Sequence, residues 1–331
     1  MSYDPRYKVA IISGNTRYNV TNAITKITRN ENDGELAQRV SVTLANVDVA
    51  GKRLSDIFDV RNRVFVYADD GIKKDEEVFR GFVWEKSNVH KKTKDLTLTC
   101  YDNLIYFQES EEYQFFSAGY STKSICGTLC GKWGVKLNYN YESITHPKLP
   151  LRGNLADIFL SDLLDEVKKK RGKKYVMRSI KDEVNIDSVG SNKTIYNLYG
   201  GKDGNVTDTE STKTMQGMVT KVVILGQEDD NERAPVKDTV NGNTSTYGTL
   251  QKILSVGSGT TLSEVKTEAK ELISESGKPR EYFSITAVDI PWIRKGDKVK
   301  VSAGDMSGHF IVTSIAHYGS DKTMTVEVER A

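Results

Sequence analysis

With 331 residues the chain is long enough for two or three domains with cores of their own, so it needs no disulfide scaffold, and its three cysteines (Cys100, Cys126, Cys130) are too few to form one. The 47 basic and 45 acidic residues leave a net charge of +2, which excludes the broad basic field of a nucleic-acid binder. Met1–Pro5 has no basic segment leading into an apolar one and the longest aliphatic run is Val222–Leu225, so the sequence predicts neither export nor a membrane span, and assembly in a reducing cytoplasm.

Residues 1–105 are predicted to form a first small antiparallel β-barrel. Short runs rich in Val, Ile and Thr (Val9–Ile12, Val40–Leu44, Val64–Tyr67, Val78–Trp84, Leu96–Tyr101) are separated by the turn clusters Asn30–Gly34, Asp69–Gly71 and His90–Asp95. Arg61-Asn62-Arg63 and Lys91-Lys92 read as solvated strand edges.

The period then changes, and 106–213 is expected to be an α+β middle domain. Ser121 is placed to cap a helix striped by Ile125, Leu129 and Trp133 and closed by Gly134. Asn154 caps a second helix striped by Leu155, Ile158, Phe159, Leu163 and Val167, which ends in Lys168–Arg171 before Gly172. Tyr175–Arg178 and Val184–Ile186 read as a hairpin.

Residues 214–226 carry a predicted strand, Met218–Leu225. Residues 227–279 read as an insertion: the polar stretch Gln227–Thr246 is expected to be a mobile loop, followed by a helix opened by the capping box Thr261-x-x-Glu264 and stopped by Gly277 and Pro279. From 280 to 331 the chain alternates apolar and polar residues between turns at Lys295-Gly296-Asp297, Gly304–Gly308 and Gly319–Lys322, which is a meander. Three or four strands do not close a barrel, so the 214–226 strand is expected to join 280–331 in a second one. The fold class is therefore α+β, mainly β: two small antiparallel barrels, a helical α+β middle domain and a helical insertion.

No catalytic, cofactor or metal site is predicted. Cys126 and Cys130 share a helix face, but no nearby His or Cys pair completes four ligands, so they read as buried thiols. Of the four histidines only His309 and His317 come close in sequence, on opposite strands of a predicted hairpin. Gly200–Gly204 lacks the spacing of a phosphate loop, and the run from Asp203 lacks the Gly and Glu of a calcium loop. Carboxylate neighbours such as Glu111-Glu112 and Asp229-Asp230 sit in polar sequence that would not separate two pKa values. The aromatics Tyr101, Tyr106, Phe107, Tyr113, Phe115, Phe116 and Tyr120 form either a stacking platform for sugar or nucleic acid, or the packing between the first barrel and the middle domain.

Three stretches, in order along the chain, resemble the baseplate hub proteins of contractile phage tails, specifically the XkdQ-like (YqbQ-like) proteins of PBSX-type prophages and related tail-derived bacteriocins. They are Phe79–Val83 followed by Leu96–Leu104; Tyr247–Gln251 ahead of the Glu264–Ser274 helix; and Gly296–Val301 through Gly308–Val312, with Ile315, His317 and Tyr318. The resemblance implies fold or assembly roles for Gly81, Tyr101, Asp102, Leu104, Tyr247, Gly248, Gly296, Asp297, Gly308, Phe310 and His317. It also implies a homotrimer without enzymatic activity or cofactor, each subunit giving two barrels to a six-barrel ring. That ring would meet the hexameric tail tube protein on one face and a trimeric spike protein or its adaptor on the other, among other baseplate proteins. No lysozyme-like or peptidase-like extension is apparent, no membrane is involved, and DNA would be only passing cargo. The alternatives are a tail-tip enzyme that degrades cell walls, and a glycan-binding module using the aromatic cluster.

Overall fold

A computed structural model describes residues 3–90, 94–227, 233–257 and 260–331. Lys91-Lys92, Asp229-Asp230 and most of the polar stretch just after Gln227 lie outside them. The chain forms two compact units: Met1–Thr209 with Ser284–Ala331, and Glu210–Phe283.

The first unit is mainly antiparallel β, as its alternating pattern predicts. Its strands follow one continuous path: Thr16–Asn19, Arg6–Ser13, Arg63–Asp69, Glu76–His90, Lys94–Tyr101, Arg39–Ala45, Ile24–Glu31, then Met306–Tyr318, Thr323–Arg330 and the part of Arg280–Val288 from Ser284 onward. The inward residues of the N-terminal strands, among them Val9, Ile11, Val40, Val42, Val64 and Leu98, make one core. Burying a side chain of this size stabilises by about 1.5–3 kcal/mol, which is why period two fixes the face of each strand. The described pairing closes no separate ring.

The two meanders share Met306–Tyr318, a strand of 13 residues. Along one edge its first half pairs with Lys298–Ala303 and its second half with Ile24–Glu31, through Ile315↔Glu31 and His317↔Arg29. Its other edge carries Thr323–Arg330, with the register slipping between Val312 and Ser314. The expected partner, Met218–Leu225, lies elsewhere. Lys221–Leu225 has both edges occupied, by Val236–Asn241 and Gln251–Ser255. Its Val222 and Ile224 pack with Val265 and Ala269 of the Leu262–Ser276 helix, so this strand is the centre of the second unit. Val236–Asn241 also corrects the reading of 227–246 as a loop throughout.

The helices follow their local signals. Ser121 accepts from the Ser124 amide at the start of Thr122–Lys132, and Asn154 accepts from the Ala156 and Asp157 amides. The second helix contains a π-helical stretch, Ile158–Leu164, which brings both Leu163 and Leu164 into the core, and it ends at Gly172 with φ +71°. These helices and the hairpin Tyr175–Ile180/Glu183–Ser188 share a core with Leu104, Phe107 and Phe116. Thr261 and Glu264 form the expected capping box.

Candidate functional site

The strand Ile24–Glu31 extends into the predicted Asn30–Gly34 turn, and its inward positions are Ile27, Arg29 and Glu31, all buried. Two opposite charges on the core face of a strand need partners, because an isolated buried ion costs several kcal/mol. The C-terminal meander supplies them. Arg294 grips Glu31 with two bonds, Nε to Oε1 at 3.0 Å and Nη2 to Oε2 at 2.9 Å, and donates a third to the Ser179 carbonyl. The Gln38 amide group adds a bond to Glu31 Oε1 at 3.1 Å. Burial alone would push Glu31 upward, but Arg294, with Arg29 and Arg178 behind it, holds its pKa down at about 2.

Asp297 completes the Lys295-Gly296-Asp297 turn from within. Its carboxylate accepts from Arg178 Nη1 at 2.7 Å and from the Arg294 amide at 3.0 Å. Gly296 has φ +85°, and a Cβ there would lie 2.8 Å from Val176, so the turn requires glycine. The network therefore ties the N-terminal strand, the Tyr175–Ile180/Glu183–Ser188 hairpin and the C-terminal meander together at one point.

His317, opposite Arg29, is 1% exposed. Its Nδ1 lies 2.6 Å from Asp289, and its Nε2 lies 2.7 Å from Arg29 Nη2. A guanidinium only donates, so Nε2 accepts and the proton sits on Nδ1, pointing at Asp289. Burial, then the charge of Arg29, hold His317 below its ordinary pKa, which keeps the ring neutral. The Tyr7 hydroxyl donates to the second oxygen of Asp289 at 2.6 Å.

Of the residues singled out from sequence, Asp102, Asp297 and His317 meet in or beside this network. Asp102 accepts from the Gln38 and Leu104 amides at 3.1 and 3.0 Å, and burial raises it to about 7. Gly81 is forced by close approach: a Cβ would stand 2.1 Å from the Tyr101 carbonyl oxygen. Tyr101 is half-buried and edge-on to Trp84, Leu104 is in the middle core, and Phe310 is buried under Arg330. Gly308 pairs with Val301 at φ +122°. Tyr247 and Gly248 are in the second unit, where the Gly248 carbonyl accepts from the Thr220 hydroxyl.

The aromatic cluster divides. Phe107 and Phe116 are buried, with Tyr101 and Tyr106 packed on their core, while Tyr113, Phe115 and Tyr120 face outward. Arg61 and Arg63 are not simple solvated edges: Arg61 stacks on Phe82 and Tyr106, and Arg63 pairs with Asp182 at 2.6 Å. His309 and His317 do not lie on opposite strands of a hairpin: both belong to Met306–Tyr318, where His309 is exposed and His317 buried, and the three cysteines are buried and free. Among the described residues no group of three or more His, Cys, Asp or Glu side chains is placed to hold a metal ion. No described helix is long and apolar enough to cross a membrane.

The sequence match to the YQBQ-like family runs from residue 27 to 329, from the strand of Arg29 and Glu31 to the last strand of the meander. This chain belongs to the YQBQ-like family. It is 24% identical over 263 residues to the phage-like element PBSX protein XkdQ of Bacillus subtilis, covering 77% of this chain and 78% of that protein. Its fold is similar to that of a tail protein from Neisseria meningitidis (TM-score 0.69, 13% identity, covering 98% of this chain and 96% of the other). A prophage MuSo2 43 kDa tail protein from Shewanella oneidensis is equally similar in fold (TM-score 0.69, 15% identity, 98% of each chain). The YQBQ-like match thus includes every network residue except Tyr7.

Arg29, Glu31, Arg178, Asp289 and Arg294 were not legible as site residues. One signal was present: Ile27, Arg29 and Glu31 occupy alternate positions of one run, which puts two opposite charges on the same face as an isoleucine.

Proposed function

We propose that this chain is a structural hub of the baseplate of a contractile phage tail or tail-like particle, a non-enzymatic homotrimer that joins the hexameric tail tube to a trimeric spike or its adaptor. The observation that carries this reading is the family match across residues 27–329, together with a fold shared end to end with phage tail proteins. The architecture supports it: a subunit bearing load between two partners gains from meanders locked by a shared strand and a buried charge network. The outer edge strand Thr16–Asn19 is short and mostly polar, a form that avoids indiscriminate pairing and suits an interface ordered by several partners. Assembly would take place in the bacterial cytoplasm, with DNA passing only where the particle carries it.

Light-scattering mass determination of the chain alone and with its spike and tube proteins tests the reading. A species of three times 37.0 kDa supports it, and a monomer in the presence of both partners contradicts it. A glycan-binding module is the second reading, favoured by the outward Tyr113, Phe115 and Tyr120. A glycan array on which substitution of Tyr113 abolishes a signal would favour that reading instead.

A further inference from the structure

Beside the charge network the first unit has a cleft of about 340 Å³, walled by the start of the Glu76–His90 strand, the Ile180-Lys181 turn, the 192–196 segment and the Pro291–Arg294 loop. Its charges do not balance. Arg80 is taken by Glu77 through two bonds of 2.9 and 2.8 Å, Arg294 by Glu31, and Asp297 by Arg178. Arg29, Lys73, Lys181 and Lys193 are left with no carboxylate at ion-pair distance among the described residues, against the single unpaired acid Glu76. Asp70 lies nearby, held ionised by the Ile72 and Lys73 amides and the Trp292 indole N–H, and offsets one of these cations, so the cleft still carries an excess of positive charge.

Arg29 is the telling member. It is 2% exposed, lines the cleft, and is bonded only to the Val78 and Pro291 carbonyls and to neutral His317, while its Nε has no partner. Its charge also helps keep Glu31 ionised, yet none of its hydrogen bonds goes to a carboxylate, which leaves the guanidinium to add to the field an incoming oxyanion meets. Lys73 is fixed at the wall, donating to the Tyr196 hydroxyl at 3.1 Å with its ammonium 4.7 Å from the Trp292 ring centre. Lys181 and Lys193 are exposed at the mouth.

We propose that this cleft is a docking site for a carboxylate-rich segment of a partner protein. Phe79, Ile180 and Trp292 give apolar wall for the methylene stems of Asp or Glu, beside cations that would meet their heads. A nucleic-acid strand fits less well, since it needs a basic track, and Glu76 stands unpaired among the lining residues of a chain carrying only +2 overall.

Isothermal titration calorimetry of the full chain at low ionic strength, with hexaglutamate as probe, tests this inference independently of the hub reading. Saturable binding is expected. The double variant Lys181→Ala/Lys193→Ala, which changes only exposed residues, is expected to weaken it by at least about tenfold, equivalent to about 1.4 kcal/mol. Lys252→Ala, an exposed lysine of the second unit, is expected to bind like the parent. The proposal is overturned by absence of saturable binding, by unchanged affinity in the double variant, or by equal weakening in Lys252→Ala. It is also overturned if inorganic phosphate or oligothymidylate binds as tightly as the peptide.

Discussion

Replacing Glu31 by Gln removes the one carboxylate that Arg294 grips and leaves three guanidiniums, Arg29, Arg178 and Arg294, around a neutral amide. The loss is open to two independent estimates. The Glu31 carboxyl is displaced from its ordinary 4.5 to about 2. A displacement of roughly 2.5 pH units corresponds to about 3 kcal/mol. Breaking one side of a buried ion pair costs about 3–5 kcal/mol, which agrees. The sign follows from linkage: the folded-state value lies below the unfolded one, so the stabilisation is complete above about pH 4.5 and drains away as pH falls toward 2. All three tryptophans, Trp84, Trp133 and Trp292, lie in the first unit, so their fluorescence during urea unfolding reports that unit alone. Glu31→Gln is expected to lose about 3 kcal/mol at pH 7, with the gap to the parent narrowing steadily below about pH 4.5. A variant within about 1 kcal/mol of the parent at pH 7, or a gap indifferent to pH, would refute the network as a stabilising tie.

Three further outcomes follow from the same geometry. Gly81→Ala would place a Cβ 2.1 Å from the Tyr101 carbonyl, and should cost at least about 3 kcal/mol in thermal unfolding; a parent-like melt would contradict the close approach. His317 is held neutral in the fold, so below about pH 6.5 the unfolded chain takes up a proton the folded one refuses, and stability falls. Asp102, raised to about 7, acts with the opposite sign between its ordinary 3.8 and that value, so the comparison of His317→Gln with the parent isolates the histidine; identical acid limbs would count against the neutral tautomer. Thr261→Ala removes the capping box of the Leu262–Ser276 helix and should cost the second unit about 1 kcal/mol, read as faster amide exchange there while tryptophan unfolding of the first unit stays unchanged.

Local chemistry was legible because it is local. Ser121, Asn154, Gly172 and the Thr261/Glu264 box each act within one helical turn, and each lies at the end of the helix it marks. The C-terminal meander was legible for the same reason, since its turns and its alternation are written in neighbouring residues. Pairing was not. Period two tells which side of Met306–Tyr318 faces the core, but not that its second half lies beside Ile24–Glu31, almost the whole chain away. Lys221–Leu225 has the composition of a meander partner, and only the hydrophobic face of the Leu262–Ser276 helix explains why it sits in another sheet. Glu31 was hidden by composition: Asn30–Gly34 is rich in turn residues, yet the strand continues through Glu31 because Arg294 supplies what the buried carboxylate needs.

The central claim, three copies of this chain between a six-fold tube and a three-fold spike, is tested most directly by a density map of the assembled particle at side-chain resolution. The account predicts three copies at that junction, their meanders arranged as six near-equivalent seats under the first tube ring. Another copy number there, or a position away from the tube and spike, would contradict it.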